Sequence, residues 1–117
     1  MKIVKTIEPC GVAIIGKVNR IFRTFKTDDD TAQEIQKLVG TVTDVLADES
    51  PLSDVDCNTI ETVEGEFFCT LSVETDDGDE LFFSSTAFEN FNSARICADV
   101  LQAAVDCLTE ENADDNA

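Results

Sequence analysis

Residues 66–86 read EFFCTLSVETDDGDELFFSST, and this stretch decides the fold. Phe67, Cys69, Leu71 and Val73 alternate with Glu66, Thr70, Ser72 and Glu74, and Phe68 is the exception. A period of two places the first set on one face of a strand and the second on the other. Asp77-Gly78 is a hairpin turn signal, because the turn needs residues that tolerate positive φ. Residues 81–86 form the return strand. Upstream, residues 58–64 make a third short strand, so 58–86 reads as an antiparallel meander. Residues 50–58 read as a polar connector to it.

Two helices flank the meander. In residues 28–48, Ile35, Leu38, Val39, Val42, Val45 and Leu46 recur at i, i+3, i+4, i+7 spacing. Asp28, Asp29 and Asp30 crowd its start, where the helix dipole favours negative charge. Thr31 and Glu34 have capping-box spacing, and Ser50-Pro51 marks the end. In residues 92–109, Cys97, Val100, Leu101, Ala104 and Leu108 form a second buried stripe, with Asn92 or Ser93 as the cap.

The first quarter of the chain reads as a strand over residues 2–8 followed by another helix. Ile14, Ile15, Val18, Ile21, Phe22 and Phe25 recur at helical spacing over residues 10–26, and Lys17, Arg20, Arg23 and Lys26 fall outside their arc. Gly11 and Gly16 weaken that helix. The expected architecture is therefore α+β: a small, mainly antiparallel sheet, with a possible N-terminal strand beside the meander, covered on one face by about three helices. Residues 1–109 form one domain, and 110–117 (EENADDNA) an acidic disordered tail. Phe25, Ala32 and Ile35 match Phe88, Ala94 and Ile96 too loosely to claim a duplication.

The composition sets the functional frame. Of 117 residues, eight are basic and 25 acidic, for a net charge of −17. Residues 1–37 hold seven of the eight basic residues, whereas residues 38–117 hold twenty acids and only Arg95. Such a surface destabilises its own fold by self-repulsion and exceeds what solubility requires. Adaptation to molar salt would also produce it, but five cysteines and a cationic first third fit that origin poorly. No apolar run suggests a signal peptide or a membrane span, so a soluble cytoplasmic protein is expected. Cys10, Cys57, Cys69, Cys97 and Cys107 are odd in number and lack a CxxC pair. They read as reduced, small apolar residues rather than a disulfide framework or a zinc site.

Catalysis has no visible apparatus: the chain lacks histidine, a nucleophile elbow and a phosphate-binding loop. The run 76–80, DDGDE, lacks the alternate-position spacing of a calcium loop. No catalytic residue, metal or cofactor is therefore expected. The charge itself is the candidate element. Carboxylates on strands and helices can approach the charge density of duplex DNA. The expected partner-binding residues are Glu64, Glu66, Glu74, Asp76, Asp77, Asp79, Glu80, Asp99, Asp106 and Glu110. The expected function is inhibition or regulation by nucleic-acid mimicry, with the basic groove of a DNA- or RNA-binding protein as the target. Phage inhibitors of host defence and small bacterial regulators work in this way. Direct binding of nucleic acid or of an anionic membrane is opposed by the charge. The alternative is an adaptor, chaperone or immunity-type subunit that binds one partner protein through Lys17, Arg20, Arg23 and Lys26.

Overall fold

The alternation at residues 67–75 forms the central strand of a sheet, and an equivalent sheet precedes it in the chain. The computed structural model describes the backbone of residues 1–46, 52–75 and 77–115, with the side chains of all but 52–53 and 111–115. The elements are β1 (Lys2–Ile7), β2 (Cys10–Ile15), β3 (Ile21–Lys26), α1 (Asp29–Leu46), β4 (Leu52–Glu61), β5 (Phe67–Thr75), β6 (Glu80–Ser84) and α2 (Phe91–Asp115). Among the described residues they form two three-stranded antiparallel sheets, β1-β2-β3 and β4-β5-β6. The class is α+β, with two α-helices where about three were expected.

The missing helix is the main correction. Residues 10–26 are a strand, a short 3₁₀ turn at Lys17–Asn19 and a second strand. Ile3 pairs with Ile14 and Lys5 with Val12, while Phe25 pairs with Val12 from the other side. The register slips between Ile14 and Ile15, and Val18 and Asn19 both take positive φ. These two irregularities shift the phase of the apolar positions mid-segment and produce a spurious helical period. Gly11 has a structural reason here: a Cβ at this position would lie 1.9 Å from the Phe25 carbonyl oxygen. Glu8-Pro9, a cis peptide bond, turns the chain between β1 and β2. The expected connector at 50–58 is also corrected, because β4 starts at Leu52.

Each sheet buries one face against helices. Val12 and Ile14 of the first sheet, and Cys69, Leu71 and Val73 of the second, are fully buried beneath Ile35, Val39, Val42, Val100 and Leu101. The Cα trace measures 45 × 36 × 15 Å. That thickness fits two layers, since packed layers lie about 10 Å apart. Among the described residues nothing covers the opposite face of either sheet. α2 is helical through Asp115, into the segment expected to be a tail.

The chain thus repeats one arrangement, three strands and a helix, twice. The helices begin alike. The Thr31 backbone N–H donates to Asp28 Oδ2 at 3.1 Å, and the Ser93 backbone N–H donates to Asn90 Oδ1 at 2.9 Å. The caps are therefore Asp28 and Asn90, not Thr31 and not Asn92 or Ser93. Glu34 does not complete a capping box but accepts a hydrogen bond from Thr86 Oγ1 at 3.2 Å. Thr31 and Ser93, 62 residues apart, meet in the core at 3.1 Å. The same spacing relates buried Ala32 to Ala94, Ile35 to Cys97, Val39 to Leu101 and Leu46 to Leu108. The true register pairs Ile35 with Cys97, one residue beyond the Ile96 suggested by the sequence.

Candidate functional site

The acids singled out from the sequence fall into three separate groups. Glu64 and Glu66 sit at the β4–β5 turn. Gly65 there has φ +82°, and Thr62 Oγ1 accepts the backbone N–H of Glu64 at 3.3 Å and of Glu66 at 3.1 Å. This turn chemistry leaves both carboxylates exposed.

The second group lies at the far end of the same strand. Thr75 N–H donates to the Asp79 carbonyl at 2.8 Å and Gly78, at φ +86°, closes the turn. Asp77 and Asp79 are exposed at this tip, and Asp76 lies outside the described residues. Glu74 and Glu80 are direct cross-strand partners. Ser72 Oγ donates to Glu80 Oε1 at 3.0 Å. Like charges placed directly opposite destabilise a sheet, so this hairpin concentrates negative potential at some cost to the fold. The nine residues of β5 separate it from Glu64 and Glu66 by about 27 Å at 3.4 Å per residue.

The third group lies on α2, in the other layer. Asp99, Asp106 and Glu110 are exposed, with Asp99 and Asp106 about 10 Å apart and Glu110 about 6 Å further on, from the helical rise. Arg95 Nη1, from the one cation in residues 38–117, lies 3.6 Å from Asp99 Oδ2. Gln102 Nε2 donates to Asp106 Oδ1 at 3.1 Å. Glu110 lines a cleft of about 480 Å³ with Lys17, Arg20, Ile21 and Cys107, so this acid faces basic residues of the first unit.

The four cations of the adaptor reading share no helical face. Lys17 lies in the 3₁₀ turn, Arg20 follows it, and Arg23 and Lys26 belong to β3. The Arg23 guanidinium stacks 4.8 Å from the centre of the Phe25 ring.

Sequence reasoning missed Asp56, Ile60 and Phe82 on the outer face of the second sheet. Asp56, Ser72 and Phe82 form one cross-strand row, with Glu74 and Glu80 in the neighbouring one. Asp56 is exposed, Phe82 is 66% exposed and Ile60 is 41% exposed. The usable signal was alternation of Asp56 and Asn58 with Val55 and Cys57, hidden by reading this stretch as a connector.

The cysteines are all free. Cys69 Sγ and Cys97 Sγ lie 2.9 Å apart in the core. The Cys69 contact and burial push the Cys97 thiol up, and burial pushes the Cys57 thiol up to about 12. Among the described residues no three Cys, Asp or Glu side chains are grouped to hold a metal ion, and no helix is long and apolar enough to cross a membrane. No protein-family model, curated protein or solved structure matches the chain.

Proposed function

We propose that this chain is an acidic protein-binding inhibitor or regulator that occupies the basic groove of a nucleic-acid-binding protein, its carboxylates standing where phosphates would lie. The supporting observation is the partition of charge between two units of the same topology. The second unit displays exposed carboxylates from a hairpin tip, a turn and a helix, and Arg95 beside Asp99 is its one basic side chain. A basic groove would relieve the repulsion between these groups, and the attraction would speed encounter more than it deepens affinity. The reading invokes no catalysis.

The test is capture of partners from native lysate on immobilised protein, with duplex DNA or RNA as competitor. The expected result is enrichment of a nucleic-acid-binding protein that the competitor releases. Asp77→Lys with Asp79→Lys should abolish that capture while leaving the circular dichroism spectrum unchanged. A partner indifferent to both competitor and variant would refute mimicry.

The adaptor reading draws its support from the other unit. Val18 is 93% exposed and Ile21 63% exposed beside Lys17 and Arg20. Val18 holds φ 51°, a conformation costly for a β-branched residue. Neutralising Lys17 and Arg20, rather than reversing Asp77 and Asp79, would then remove the partner.

A further inference from the structure

The uncovered faces of the two sheets differ in charge and share exposed apolar side chains. On the first sheet, Lys2, Val4, Ile15 and Lys26 point away from the helices, and Ile21 at its edge is 63% exposed. On the second, Asp56, Ile60, Phe68, Glu74, Glu80 and Phe82 point away. Both helices lie in the opposite layer, so nothing within the described chain covers either face.

We infer that two copies of the chain pair through these faces, the first sheet of each lying on the second sheet of the other. A two-fold axis lying in the interface, along the seam between the two sheets, makes that contact twice, as an isologous dimer requires. Lysines at positions 2 and 26 then meet Asp56, Glu74 and Glu80. The competing arrangement, second sheet on second sheet, would stack carboxylates on carboxylates, a like-charge juxtaposition that disfavours it strongly. Glu74 and Glu80, opposed on neighbouring strands, present the site a lysine of the other copy would bridge. Phe82 and Ile60 supply the apolar centre that a durable interface needs.

The available area is sufficient. A stable pair buries about 800 Å² per partner, less than the broad 45 × 36 Å face of the plate provides. The charge of −17 on each copy opposes approach at low salt. At physiological ionic strength the screening length is about 8 Å, so distant repulsion is suppressed while contact pairs persist. The result is a four-layer sandwich with both helical layers outward. Asp99, Asp106 and Glu110 stay on its surface, so the dimer does not depend on the proposed partner.

Sedimentation equilibrium on the purified full chain at physiological salt tests this directly. The wild type should show twice the chain mass of 12.8 kDa. Lys2→Glu with Lys26→Glu should be monomeric at the same concentration, as should Glu74→Lys with Glu80→Lys. An equimolar mixture of the two variants should recover the dimer, because one of its two contacts then sets acids at positions 2 and 26 against lysines at positions 74 and 80, the charges exchanged, and the other keeps the native sense. That recovery separates a lost contact from a lost fold. A monomeric wild type would assign the face to another occupant and overturn the proposal. So would a mixture that stays monomeric, or a dimer indifferent to both variants.

Discussion

Ser93 Oγ donates a hydrogen bond to Thr31 Oγ1 across 3.1 Å of buried core. The direction follows from Thr31 having one hydroxyl proton, already given to Asp28 Oδ1 at 2.7 Å. The two residues are third in their helices, so this contact ties the repeated halves at equivalent points. Thr31→Val should cost about 1–3 kcal/mol, because it strands the Ser93 hydroxyl. Adding Ser93→Ala should cost less than its separate effect, since no orphaned donor remains. Urea unfolding of the four proteins measures the coupling, and strict additivity would contradict the contact.

Asp28 carries a pH signature. The Thr31 hydroxyl and then its backbone N–H hold the Asp28 carboxyl below its usual range. A depressed folded value means the carboxylate stabilises the fold above the unfolded pKa of about 3.9 and loses that contribution as pH falls through the lower folded value. Asp28→Asn keeps a capping acceptor but removes the titration. The stability gap between wild type and variant should be flat from about pH 7 to pH 5 and should close below about pH 4. A gap that does not change with pH would exclude a role for the charge.

Thiol reactivity should be graded by position. Burial keeps Cys69 and Cys97 out of a reagent's reach, and the Cys57 thiol, pushed up to about 12, carries little thiolate at neutral pH. Brief treatment of the native protein with iodoacetamide at about pH 8, where an ordinary thiol is partly ionised, should label Cys10 first. All five should react in denaturant. Intact-mass and peptide analysis reads the order, and early labelling of Cys97 would contradict the packing described.

The two glycines at element interiors should respond with opposite sign. Gly11→Ala drives a methyl group into the Phe25 carbonyl and should cost about 2–3 kcal/mol, in the range of overpacking. At Gly40, within α1, a methyl group would meet no atom within 4 Å. Gly40→Ala should therefore stabilise by about 0.5–1 kcal/mol. Denaturant midpoints decide both.

The helices and the β5–β6 hairpin were legible because one pattern dominates each. Ile35, Val39, Val42 and Leu46 keep a single helical phase through α1, and Asp77-Gly78 marks its turn directly. The first sheet was not legible because its defining features break periodicity. The register slip at Ile14/Ile15 and the left-handed pair Val18-Asn19 reset the alternation within a few residues, and local spacing alone cannot reveal a partner strand. β4 was obscured differently: beyond Val55 its helix-facing positions hold the modest Cys57 and Thr59, so Asp54, Asp56 and Asn58 dominate its composition. At the candidate site, the acids of the hairpin were identifiable from the turn. Their separation from Asp99 and Asp106 into opposite layers was not, because it follows from layer packing rather than from spacing. Phe82 lies on the outer face, since Leu81 and Phe83 are the residues in phase with the helices.

The partition of charge between the halves makes the unpaired chain an electric dipole as well as a polyanion, a dipole that the two-fold pairing proposed above would cancel. A uniformly charged body is pulled toward a cationic surface without being turned by it. This one experiences a torque, because seven of its eight cations lie in residues 1–37 and are repelled while the remainder is drawn in. Within a screening length of about 8 Å the plate rotates its acidic half forward before any side chains touch, so orientation is selected during approach and need not be found by repeated collision.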